Sequence, residues 1–319
     1  MRRPPREALG AALALLLACQ AKGGAGSGGG GAGEGRAGEF DGQRAFGYLE
    51  QQMRFGPRIP GTPAHDSAGD WILAQLRARA DTVVVQEIPH KTKNGRVLHL
   101  RNFLARFRPA AAERVLFLAH WDTRPTADSD SDIAKRKNPV PGANDGASGV
   151  AVLLGVADAL KAKPSPPAVG VDLLFVDGED YGDFADTSDV LIGSRWFAAH
   201  QPVGYPPLYA VLFDMVGDKD LTIYYESNSQ AFAPEVVDRV WRTAADLGYG
   251  RVFMQGVKHS LIDDHVALQK AGIHAIDVVD FDYGPGNAYW HTTQDTIDKV
   301  SAASLKIVGD VAVALVRSP

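Results

Sequence analysis

Val115-Leu116-Phe117-Leu118-Ala119-His120-Trp121-Asp122 is the stretch on which the fold turns. Five apolar residues in succession describe a strand buried on both faces, because a half-exposed strand would offer every second side chain to water. The run then ends on an imidazole and a carboxylate. The same pattern recurs downstream. Val171 to Val176 is followed by Asp177, Glu179 and Asp180, Ala210 to Phe213 is followed by Asp214, and Ala275 to Val279 is a fourth buried run. Helical periodicity falls between and after them, at Ser148 to Lys161, Pro234 to Leu247 and Ser301 to Val316. Upstream, two amphipathic stretches, Ala45 to Met53 and Ala68 to Ala78, flank the turn-rich connector Gly56 to Gly61, and Val83 to Ile88 and Arg101 to Phe107 read as further strands. The expected fold is α/β, a single domain with a central, mostly parallel twisted sheet flanked by helices.

The 319 residues divide unevenly around that domain. Arg2, Arg3 and Arg6 precede an apolar run from Ala8 to Ala18, the charged and apolar regions of an export signal that is too short to span a bilayer. The run closes on Leu16-Leu17-Ala18-Cys19, which resembles the lipobox of bacterial lipoproteins, and Cys19 is the only cysteine. A lone thiol forms no internal disulfide, so lipidation accounts for it; an ordinary signal peptide with an incidental cysteine is the alternative. Residues 1–19 are therefore expected to be a lipoprotein signal, residues 20–39 a Gly-rich flexible linker, and residues 40–319 the catalytic domain. Gln20 after the cysteine favours an outer-membrane anchor with the domain in the periplasm or at the cell surface. The net charge of −5 and pI near 6.0 provide no basic footprint for a phosphate backbone, which excludes nucleic acid as a partner.

In sheets of this kind ligands gather at the carboxyl ends of strands, which is where His120, Asp122, Asp177, Glu179, Asp180 and Asp214 fall. Asn144-Asp145-Gly146 before a helix and Trp290-His291-Thr292 in a late loop complete the set. Clustered carboxylates repel one another unless a cation neutralises them, and mixed imidazole and carboxylate donors without cysteine suit a catalytic zinc ion. Asp122, two residues past His120 on an extended chain, faces the same side and can orient the imidazole. Singly, each residue has a plainer reading: Asp145 as a helix cap, His120 as a satisfied core histidine. Gly146-Ala147-Ser148-Gly149-Val150 lacks the second glycine of a serine nucleophile elbow.

These segments resemble the M28 family of zinc peptidases and, within it, the glutaminyl-peptide cyclotransferases. The matching stretches are His120 to Pro125, Gly142 to Val150, Phe175 to Gly182, Leu191 to Trp196, Asp214 to Asp218, Ile262 to His265 and Trp290 to Thr292. The resemblance implies a zinc-aminopeptidase-like fold, Asp145, Asp180 and His291 as zinc ligands, and Glu179 as proton carrier. It implies one zinc if the chain is a cyclotransferase, converting N-terminal glutamine of peptides to pyroglutamate with loss of ammonia. It implies two if the chain is an aminopeptidase, with His120 and Asp214 holding the second. The family often has Glu-Glu where this chain has Glu179-Asp180. Trp290 resembles the wall of the cyclotransferase substrate pocket and Asp264 its carboxylate, though loop packing and a helix N-cap are the plainer readings of these two. Asp214 and Asp264 would then share the hydrogen-bonded network that steadies the substrate amide. A binding protein on the same fold is the third reading, which would be marked by a missing base or ligand; none is missing.

Overall fold

The computed structural model describes residues 39–318 apart from 167 and 203–204. The export signal, Cys19 and residues 20–38 of the linker lie outside the described residues. Two helices lead in, α1 (Gly42–Phe55) and α2 (Pro63–Arg77). Each starts on a side-chain cap that takes up an otherwise unpaired N–H, from Asp41 to Arg44 and from Thr62 to His65. The strands and helices β1 (Thr82–Lys91), β2 (Val97–Phe107), β3 (Glu113–His120), α3 (Ala147–Ala162), β4 (Val169–Val176), α4 (Ile192–Ala199) and β5 (Tyr209–Asp214) follow. The chain continues through β6 (Ile223–Glu226), α5 (Ser227–Phe232), α6 (Pro234–Asp246), β7 (Phe253–His259), α7 (Asp264–Lys270), β8 (Ala275–Val279) and α8 (Ala302–Arg317).

The central sheet has six strands in the order β1-β2-β4-β3-β5-β8. β4, β3, β5 and β8 pair in parallel, while β2 is antiparallel to both of its neighbours. The sheet is therefore mixed, with its parallel part where the continuous apolar runs lie. The reason is local: Thr92 and Arg96 close a tight turn between β1 and β2, and a short turn permits only an antiparallel partner. A separate parallel pair, β6 and β7, has no counterpart in the apolar runs of the sequence.

Alternation along the buried strands divides the core. Val115, Phe117 and Ala119 of β3 join Val171, Leu173 and Phe175 of β4 against α1, α2, α3 and α8. Leu116 and Leu118 join Leu174 and Val176 against Phe197 of α4 and Ala267 and Leu268 of α7. Helix α3 is buried almost all round, as its Val-Ala-Val-Leu-Leu sequence requires, and it is sandwiched between the sheet and two other helices. This two-sided burial fixes the carboxyl ends of β3, β4 and β5 in one plane. His120, the turn after Val176 and Asp214 therefore open on the same edge.

Candidate metal centre

At that edge the sequence-distant residues come together. His120 Nε2 lies 3.1 Å from Asp145 Oδ1 and 3.1 Å from Asp214 Oδ1. His291 Nε2 lies 3.3 Å from Asp180 Oδ1 and 3.6 Å from Asp145 Oδ2. Two overlapping triads result, Asp145–Asp180–His291 and His120–Asp145–Asp214, each with donor atoms within 4.8 Å of one another, and Asp145 belongs to both. All five residues are nine-tenths or more buried.

Each donor is held by its local chain. Asp145 follows Asn144 in the loop before α3. Both backbone N–H groups donate to the carboxylate of Asp295, at 2.8 and 3.1 Å, and Tyr283 donates its hydroxyl to the same group. The cap of α3 is Gly146, so the Asp145 side chain is left to face the histidines. Gly146 has φ +90°, and a Cβ there would lie 2.5 Å from the Asp122 carbonyl oxygen. His291 itself sits at φ 54°, a left-handed conformation that a non-glycine residue adopts only when its surroundings impose it. Those surroundings are the loop from Asp128 to Asn138. Ser129 donates its N–H to the His291 carbonyl at 3.2 Å, and Asp130 accepts from the N–H and hydroxyl of Thr293. The loop thus buttresses the histidine.

Asp122 does more than stand beside His120. Its carboxylate is 3.6 Å from His120 Nδ1, while its two oxygens accept the N–H groups of Glu179 and Asp180 at 3.1 and 3.2 Å. It therefore shapes the turn that presents both residues. Asp177, also at the end of β4, is occupied structurally: it pairs with His65 at 2.8 Å, whose ring stacks on Trp121, and accepts the N–H of Arg101.

A cavity of about 260 Å³ opens onto the triads, lined by Asp145, Glu179, Asp214, Asp263, Trp290 and His291 among others. Leu261, Ile262, Phe281 and Phe184 complete an apolar wall. The Trp290 ring stacks on His291 with centroids 3.8 Å apart and meets Phe281 edge-on at 5.0 Å. Asp264, the carboxylate expected here, does not line the cavity; its neighbour Asp263 does. Asp263 is also the N-cap of α7, and its Oδ1 accepts the N–H of Asp264. Asp264, the first residue of that helix, is wholly buried near Ser194, and neither of its oxygens meets hydrogen-bond geometry with a partner among the described residues. Successive residues at a helix start point in different directions, so adjacent carboxylates differ in what they reach.

Electrostatically the site is acidic and dry. Burial, reinforced by Asp263, Asp180 and Asp264 against the attraction of His120, pushes Glu179 well above the ordinary carboxylate range. Burial and the charge of Asp214 push Asp263 up to about 7. His120 is raised well above its usual value, because the Asp214, Asp122 and Asp145 carboxylates outweigh the cost of burial. Asp180 Oδ2 is buried without a partner among the described residues. An unpaired buried carboxylate oxygen beside imidazoles and further carboxylates is the donor set that a divalent ion satisfies, so these residues fit zinc.

Fold and site together define an α/β enzyme scaffold with a candidate metal centre at the carboxyl edge of its parallel strands, completed by the loops that carry Asp145 and His291. The sequence profile of peptidase family M28 matches residues 102–316, and the chain belongs to that family. It is similar to a glutaminyl cyclase from Porphyromonas gingivalis, with 38% identity and a TM-score of 0.82, covering 86% of this chain and 96% of that one. It is also similar to a Zn-dependent exopeptidase from Parabacteroides distasonis, with 34% identity and a TM-score of 0.83, covering 89% and 100%. The mouse endoplasmic reticulum metallopeptidase 1 is 24% identical over 302 residues, covering 88% of this chain; the chain spans only 31% of that protein's length.

Proposed function

We propose that the chain is a glutaminyl-peptide cyclotransferase, which converts the N-terminal glutamine of peptides to pyroglutamate. The observation that carries this reading is the small apolar cavity beside the Asp145–Asp180–His291 triad, walled by Trp290 and floored by Glu179, Asp214 and Asp263. No lysine or arginine among the described residues lines it, so it suits an uncharged side chain next to an α-amine that reacts in its neutral form. Asp145, Asp180 and His291 would hold a zinc ion, which would supply Lewis-acid polarisation of the γ-carboxamide oxygen. The chain's own residues do the rest. Trp290 and Phe281 exclude water from the bound glutamine side chain. Glu179, made more basic by burial, takes a proton from the α-amine as its nitrogen bonds to the γ-carboxamide carbon. The carbon–nitrogen bond of the amide then breaks, and Glu179 returns the proton so that ammonia leaves. Asp214 and Asp263 hold the nitrogen groups in place.

The second reading, a two-zinc aminopeptidase, is favoured by one observation: the His120–Asp145–Asp214 triad is also geometrically complete. In that case Glu179 takes its proton from water. Incubating the purified protein with a Gln-initiated and a Leu-initiated peptide separates the two by mass. Loss of ammonia from the intact Gln peptide supports the first reading, and release of the first residue supports the second. No change in either peptide with zinc supplied would sink both.

We also propose that the protein is exported and anchored to the membrane through lipidated Cys19, which acts from the end of the residue 20–39 linker. Cys19→Ser is expected to release the protein from the membrane fraction; continued membrane association would contradict the anchor.

A further inference from the structure

Arg124 is a buried cation at this acidic edge, and all three nitrogens of its guanidinium donate hydrogen bonds. Nε and Nη2 donate to the two oxygens of Asp128 at 2.9 and 2.6 Å, a two-pronged pairing that fixes the plane of the group. Nη1 then reaches Asp180 Oδ1 at 2.7 Å and the Gly182 carbonyl at 3.0 Å. Asp128 in turn places Oδ1 3.7 Å from Nδ1 of His291, the ring nitrogen on the far side from the triad. One arginine–aspartate pair thus reaches two of the three donors of the Asp145–Asp180–His291 triad: Asp128 stands behind the His291 ring, while Arg124 takes the Asp180 Oδ1 that also faces His291 Nε2 and leaves Oδ2 without a partner among the described residues. Asp180 carries a shorter arm than a glutamate would and, with one fewer rotatable bond, adapts its reach less, so its carboxylate has to be held where the common centre lies.

We infer that Arg124, locked by Asp128, is a positioning residue for the metal: it fixes the Asp180 carboxylate toward the ion and, through Asp128, braces His291. The inference rests on the zinc reading above, and not on whether the reaction is cyclisation or hydrolysis. A purely electrostatic role makes the opposite prediction. The guanidinium is a positive charge close to a cation site, so deleting it while Asp128 stays negative would tighten metal binding by Coulomb attraction. Deleting a positioning group loosens binding, and loss of such outer partners typically weakens metal affinity about ten- to a hundredfold.

The sign of the effect is therefore the test. Zinc affinity of the full-length protein, measured by competition with a chromophoric chelator, is expected to fall about ten- to a hundredfold in Arg124→Gln. The visible spectrum of the cobalt-substituted protein is expected to change with it, since the ligand geometry changes. Arg124→Lys keeps the charge but not the fork, and should recover only part of the affinity; Asp128→Asn should also weaken binding. A folded Arg124→Gln protein that binds zinc as tightly as the parent or more tightly, with the parent cobalt spectrum, would overturn the inference. If Arg124→Gln does not fold, unchanged affinity in Arg124→Lys and Asp128→Asn would overturn it equally. Failure of the parent itself to bind zinc would instead overturn the zinc reading.

Discussion

Replacing Glu226 with glutamine tests how the cavity wall is tied to the fold. Glu226 ends β6, is wholly buried, and caps α5 by accepting the N–H groups of Asn228 and Ser229 at 2.9 and 2.7 Å. It also accepts the Ser229 hydroxyl, the N–H of Leu261 at 3.0 Å and Nε2 of His265 at 3.1 Å. Leu261 lines the cavity, so this carboxylate holds a substrate-facing loop against the second, smaller sheet. Burial opposes ionisation of Glu226, but the His265 hydrogen bond and charge, with the backbone donors, outweigh it and bring the carboxyl down to about 2. Against an ordinary value near 4.3 and at about 1.4 kcal/mol per unit, the ionised group contributes roughly 3 kcal/mol at neutral pH. The sign follows from the depressed value. The contribution is complete above the unfolded pKa and disappears as pH falls toward the folded one. Urea denaturation should find Glu226→Gln less stable than the parent by roughly 3 kcal/mol at pH 7, shrinking to roughly half of that at pH 3. KM should rise as the Leu261 loop loosens. An equal stability difference at both pH values would refute the reasoning.

Glu179→Gln should lower turnover by about 10²- to 10⁴-fold while zinc content stays unchanged, because the side chain carries protons and does not belong to either triad; metal analysis beside the peptide assay checks this. Gly146→Ala forces a Cβ to within 2.5 Å of the Asp122 carbonyl at a positive φ, so it should cost more than about 2 kcal/mol in thermal or urea unfolding. Zinc affinity should fall with it, since the Asp145 loop moves. Asp280, pushed up to about 7 by burial, stays protonated in the fold over a range where the unfolded chain is ionised, so its presence makes stability fall as pH rises from about 4 to 7. The Tm of Asp280→Asn relative to the parent should therefore be more favourable at pH 8 than at pH 5; a difference independent of pH would contradict this.

The parallel part of the sheet was legible in the sequence because burial on both faces leaves an uninterrupted apolar run, as in Val115 to Ala119. Residues placed just after such runs then converge almost by necessity, as His120, Asp180 and Asp214 do. What escaped has physical reasons. The first half of β2 alternates buried and exposed residues from Val97 onward and has no continuous run. β7 is mostly exposed, with Gly256 in its middle, so neither composition nor alternation marks it. Asp295, which orients Asp145 from 150 residues away, is an unremarkable loop aspartate in one dimension. Asp263 and Asp264 are chemically identical neighbours, and only the start of α7 decides that the first faces the cavity. The arginine behind Asp180 was visible as Arg124 in a matching stretch, but its partner Asp128 belongs to a polar loop whose packing on His291 no periodicity announces.

Asp145 serves both triads, so its removal should leave neither able to hold an ion. Zinc content of purified Asp145→Ala, measured by atomic emission against the parent after dialysis, tests that directly. Stoichiometric zinc in the parent and essentially none in the variant is the predicted result; a folded variant that retains the parent's zinc would contradict it.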